Sequence, residues 1–209
     1  MFLTASALAL VALVVANVYR ARKYRRAQNA LLLPATRMPE QVPKPPAEEL
    51  REAFSVGLGD VVLLRTGEEA WLTGVLVFDE GVQTLALFVG PDSGGSRWVL
   101  ASRSASGDEP ELTWLTEASA LHVGEGVHVI EHEGERLERE RRRPLAVRRT
   151  GSLAPDVGGS AVVSEYRGEL GGAVLVVKGE RRTLTLSGRH LHGGTYEILP
   201  GSAGSAPDA

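Results

Sequence analysis

An all-β domain is what this 209-residue chain predicts from Val56 onward, and three observations carry the expectation. Short runs rich in β-branched and other apolar residues recur between glycine-bearing turns, as in DVVLL, VQTLALFVG, RWVLAS and ELTWLTE. The 24 glycines and 11 prolines leave few uninterrupted stretches long enough for helices. Within the runs, apolar and polar residues alternate well enough to suggest half-buried antiparallel strands.

Ahead of that domain, Met1 to Tyr19 carries no charged side chain and is dominated by Leu, Ala and Val. As a helix it reaches roughly 28 Å, enough to cross the hydrocarbon core of a bilayer. A cleaved signal peptide would place its cations before the apolar stretch. Here Arg20, Arg22, Lys23, Arg25 and Arg26 follow it, which predicts an uncleaved single-pass transmembrane helix with its positive flank retained in the cytoplasm. The expected location is therefore the cell inner membrane, N-terminus outside and C-terminal domain cytoplasmic. The five cations are candidates for contact with the anionic membrane surface.

Residues 20–55 read as a basic and proline-rich linker. Pro34, Pro39, Pro43, Pro45 and Pro46 rule out a long helix or an interior strand and favour an extended spacer. AEELREAF, Ala47 to Phe54, has the composition of two helical turns with acidic residues first.

From 56 to 200 the strands are expected to form one domain of two small antiparallel barrel-like or sandwich-like halves, at about 56–121 and 127–200. Asp60–Leu64, Ala70–Phe78, Val82–Gly90, Arg97–Ser102 and Glu111–Glu117 supply the first half. HEGE (132–135) and KGER (178–181) mark glycine hairpins in the second. Trp71, Trp98 and Trp114 are expected in the core. The tail 201–209 is small and polar, the composition of a disordered end.

VGLGDVVLL, the RWVLAS and ELTWL strands, VIEHEGERLERE, and the closing SEYRGELGGAVLVVKGE and GGTYEILP, together with Tyr166 and Tyr196, resemble a bacterial family known as domain of unknown function 4178. The resemblance spans about Val56 to Pro200. It implies a compact β protein, in some members attached to membrane helices, and supplies no catalytic residue. The scarcity of aromatics in the second half departs from the family pattern.

Chemistry is thinly represented. The absence of cysteine excludes disulfides, thiolate metal sites and cysteine nucleophiles. There is no G-x-S-x-G elbow, and GPDSGGS lacks the lysine and helix of a P-loop. His190 and His192, two apart, would share one face of a strand and are the weak candidates for a metal, short of the four ligands of a structural site. His128 and His132 would share a face by the same rule.

Glutamates and arginines interleave from Glu131 to Arg143, as on a solvated edge strand. Arg139, Arg141, Arg142, Arg143, Arg148 and Arg149 form the candidate patch for an acidic partner. No aromatics interleave with them to stack bases, and the net charge of −3 argues against nucleic acid. The expectation is thus a membrane-anchored, non-enzymatic interaction or scaffold module without a cofactor, meeting a protein partner near the inner membrane. The alternative is a small-molecule or lipid-headgroup sensor using a groove between the two halves.

Overall fold

A computed structural model describes residues 47–80, 83–103 and 111–201. The expected transmembrane segment, the basic flank, the prolines of the linker and the tail from 202 lie outside the described residues. Among the described residues, no helix is long and apolar enough to cross a membrane.

One helix among the described residues, α1 (Ala47–Phe54), leads into twelve strands: β1 (Val61–Leu64), β2 (Glu69–Trp71), β3 (Gly74–Asp79), β4 (Gln83–Asp92), β5 (Gly95–Ser102), β6 (Glu111–Glu117), β7 (Val129–His132), β8 (Glu135–Gly151), β9 (Ser160–Gly168), β10 (Gly172–Gly179), β11 (Thr183–Leu191) and β12 (Tyr196–Leu199). Among the described residues the fold is all-β apart from α1, as expected. The run from Ala70 to Phe78 is divided at Leu72–Thr73, so that β2 joins one sheet and β3 the other.

The arrangement of the halves differs from the expectation. β3 to β6 form one antiparallel meander and β8 to β11 another, and the two close on each other through β6–β11 and β3–β8 pairing. The product is one eight-stranded antiparallel barrel, not two small barrels or sandwiches. Closure is favoured because each four-stranded meander alone would leave two edges of unpaired amides and carbonyls. Gly188 marks one seam: a Cβ there would overlap the Trp114 carbonyl oxygen, so the glycine permits the approach of β11 to β6.

Strand alternation fills the barrel. Leu76, Phe78, Leu85, Leu87, Trp98, Leu115, Leu145, Val163, Leu175 and Leu186 point inward and form one buried cluster. Ala154 and Val157, from the loop between β8 and β9, join that cluster and plug one end. Eight strands enclose an interior that side chains can fill, so the barrel is a core and not a channel. Among the described residues the two junctions of the halves are hydrogen-bonded ladders, and the space between the halves near Leu100, Thr113 and Leu175 is about 20 Å³. That is room for about one water.

Outside the barrel, α1 and a three-stranded sheet of order β12-β1-β2 lie over the outer face of β3–β6. Leu50, Phe54, Val62 and Leu72 pack there on Val75, Phe88, Val99 and Trp114. The helix that the sequence placed in the linker is therefore part of the folded unit. Asp60 fastens this layer. Only 1% exposed, it accepts hydrogen bonds from Arg51 at 2.5 Å, and from the backbone N–H groups of Gly57 and Gly201 at 2.8 Å each. One buried carboxylate thus ties α1 to the far end of the domain, and its bond holds the Arg51 guanidinium above its ordinary pKa.

Candidate functional site

The barrel end opposite the plug is polar. Parity with the inward Val163 turns Glu165 and Arg167 of β9 toward the axis, and parity with Leu115 does the same for Thr113 and Glu111 of β6. His190 near the end of β11 meets them, its Nδ1 3.1 Å from Thr113 Oγ1 and its Nε2 4.0 Å from a Glu111 oxygen. Arg167 reaches Glu111 at 3.4 Å and Glu140 at 3.5 Å, while Arg143 donates to Glu165 at 3.3 Å. The rim is thus a ring of compensated charges.

His190 is 13% exposed, and burial pushes its pKa below the ordinary value, helped by Arg167 and opposed by Glu111. A neutral imidazole bonded to a threonine hydroxyl is the state this surrounding favours. His192 follows the end of β11, and the two imidazoles stand edge to face with centroids 5.8 Å apart. No group of three or more His, Asp or Glu side chains is placed to hold a metal among the described residues.

Beside the rim, a groove of about 810 Å³ runs along β8 and the tip of the β9–β10 hairpin. Glu135 organises that tip, accepting from the backbone N–H groups of Leu170 at 2.6 Å and Gly172 at 3.1 Å. It is a structural carboxylate that the charge pattern alone presented as one of several on a solvated strand. The turn before it is the expected hairpin, with Glu133 and Gly134 at φ of 51° and 80°.

The six arginines of the acidic-partner patch all lie on β8, and the strand divides them. From 141 onward the odd positions share the inward parity of Leu145, whereas Arg142 and Arg148 face out. A register shift between Arg139 and Arg141 returns Arg139 to the outer face opposite Tyr166. Arg139 donates to the Val127 carbonyl at 3.1 Å, Arg148 pairs with Asp79 at 3.1 Å, and Arg149 lies at the plugged end where its field reaches Asp156. Among the described residues, Arg141 and Arg142 have no ion pair within contact distance. The structure therefore brings together Arg139 with Arg142, and Arg141 with Arg143, but not all six.

β8 pairs with β7 at its start and with β3 at its end, on the same edge. No described residue continues the ladder along Glu140–Leu145 of that edge. The Val147 N–H points to Gly159 on the β9 side, so by alternation the donor that Pro144 lacks would face the open edge. Proline and arginine there oppose intermolecular strand pairing.

The sequence missed the large aromatic that is most exposed among the described residues. Trp98 and Trp114 are buried as expected, but Trp71 is 56% exposed. Its register neighbours across β1 are Val61 and then Leu199, so one apolar row crosses the outer face of the three-stranded sheet, with Glu69 and Glu197 in the adjoining row. The signal lay in EAW, where Ala70 is the residue whose neighbours on both sides are exposed.

The chain matches no family model, and neither a curated protein nor a solved structure is significantly similar to it.

Proposed function

We propose that this chain is a non-enzymatic interaction module, held at the cytoplasmic side of an inner membrane by a helix over residues 1–19, that receives a protein partner on the outer face of the three-stranded sheet. The observation that carries the reading is the apolar row Trp71, Val61 and Leu199, exposed at Trp71 and Leu199 and half-buried at Val61. Tryptophan is among the residues most enriched at the centre of protein interfaces, and exposing one on a sheet costs solubility without adding to the core. Glu69 and Glu197 beside the row favour a partner that combines apolar side chains with basic ones. The tether rests on the charge-free Met1–Tyr19 segment and the five cations that follow it. Membership of the family known as domain of unknown function 4178 is part of the same proposal, resting on the motifs quoted from Val56 to Pro200.

Two measurements on the full chain test it. A photo-crosslinking amino acid at position 71 should give a discrete protein adduct in cells, and the same group at position 170, on the tip of the β9–β10 hairpin, should not. An empty lane at 71, or equal labelling from 170, would remove the support for this face. A reporter active only in the cytoplasm, fused after Ala209, should be active, and silence there would overturn the topology.

A further inference from the structure

We infer that the outer face of β8, β9 and β10 holds a binding site for a phosphate-bearing ligand, in which Glu125 is a built-in carboxylate competitor. A cavity of about 330 Å³ lies between these strands and the Val123–Gly126 loop. That volume is in the range of small-molecule sites. Register places its walls: Arg142 is opposite Ser164, which is opposite Val176, and Arg139 is opposite Tyr166. Lys178 stands one row away, opposite Val162. Three cations thus converge on a groove floored by Val162 and Val176, with the hydroxyls of Ser164 and Thr183 on its lining.

The loop that forms the other wall is pinned. Tyr166 Oη donates to the Val127 carbonyl at 2.8 Å, and Arg139 donates to the same carbonyl at 3.1 Å. Leu121 and Val123 pack on a small apolar cluster that includes Tyr166 and Val176. Arg139 is therefore preorganised, unlike a solvated arginine on a plain strand. Between Gly124 and Gly126, the latter at φ of 82°, Glu125 reaches over the cavity and accepts a hydrogen bond from Lys178. That bond, with the fields of Lys178 and Arg142, holds the Glu125 carboxyl below the usual carboxylate range.

Charge identifies the ligand class. Arg139, Arg142 and Lys178 against Glu125 leave two positive charges, which suits a phosphate dianion better than a single carboxylate. Guanidinium groups and an ammonium are the donors that recognise such an oxyanion. The apolar floor leaves room for a small organic body. An incoming phosphate would take Lys178 from Glu125, and the glycines on either side let that side chain swing away. This inference does not depend on a partner at Trp71, since the row lies on a different sheet.

The test is a calorimetric titration of the full-length protein in detergent with inorganic phosphate and with glycerol phosphate. Arg142→Ala and Lys178→Ala should each weaken binding by about tenfold, the loss of one charge-assisted contact. Glu125→Gln should tighten it by a few-fold, because the internal competitor is removed. Both effects should shrink as salt rises. Undetectable binding by wild type and Glu125→Gln alike, or affinities unchanged in Arg142→Ala and Lys178→Ala, would overturn the site. Since all three side chains are on the surface, thermal melts will show whether the variants remain folded, and the gain in Glu125→Gln cannot arise from unfolding. Repeating the phosphate titration in phosphatidylcholine bilayers with and without phosphatidic acid separates the sources of the ligand. A weaker apparent phosphate affinity with phosphatidic acid assigns the site to a lipid headgroup, and an unchanged one to a soluble phosphate ester.

Discussion

The two outer faces of the barrel are built from strands of similar length but are covered differently. Over β3–β6 lie α1 and the three-stranded sheet, so Val75, Val77, Ala86, Phe88, Val99 and Ala101 are buried outside while Leu76, Phe78, Leu85 and Leu87 are buried inside. Over β9–β10, among the described residues, lie the loop around Leu121 and Val123 and Ile130 of β7, and the same outward positions carry Ser164 and Lys178. A strand covered on both faces reads as a continuous apolar run, whereas one covered on a single face alternates. GVLVF and LALFVG were therefore signs of a second layer and not of half-buried strands. The face without such a layer is where charge is left for a ligand.

Four changes would break or sharpen that contrast. The largest effect is expected at Phe88, packed between the barrel and its covering layer: Phe88→Ala should cost about 3–5 kcal/mol in denaturant unfolding, whereas Val162→Ala on the other face should cost less than half as much. Equal losses would mean that the covering layer contributes little.

Next is Asp60. Its replacement by Ala strands the N–H groups of Gly57 and Gly201 and leaves Arg51 unpaired. A loss of about 2–4 kcal/mol is expected, with early loss of hydrogen-exchange protection in α1 and β12 while the barrel stays protected. Simultaneous exchange of both would show that layer and barrel unfold as one unit.

A smaller effect concerns the rim. His190 titrates below its ordinary value of 6.5 because folding buries it, with Arg167 and His192 acting in the same sense and Glu111 and Glu140 opposing. The unfolded chain then binds the proton more readily than the folded one. The contribution to stability is complete above about pH 6.5 and is lost as pH falls from there through the folded-state pKa. His190→Asn should flatten the melting temperature against pH in that window, and an unchanged slope would assign the acid sensitivity elsewhere. The smallest effect is expected at Trp71, where Trp71→Ala should change stability by no more than about 0.5 kcal/mol. In Trp98→Ala, inside the barrel, the cost should be about 3–5 kcal/mol.

Much of the secondary structure was legible because it depends on neighbours in sequence. ELTWLTE is a strand with the expected bounds, the HEGE turn is a hairpin, and AEELREAF is a helix. The candidate sites were legible only as residue types. The alternation of β8 was visible, but the register shift at Arg139, which puts that arginine on the same face as Arg142 and Lys178, depends on pairing with β9. The exposed position of Trp71 depends on β2 leaving the barrel to join β1.

By itself the sequence determined that the chain is β-rich, that cysteine chemistry is excluded, and that a charge-free apolar segment is followed by five cations, because these follow from composition and short-range periodicity. Only the tertiary structure decided that the two halves share one core, that Asp60 bonds to Gly201, 141 positions away, and that one face of the barrel is covered while the other keeps its cations. Such features are made by long-range pairing, in which the closure of all sheet edges and the burial of both faces are settled together. No window of neighbouring residues contains that information.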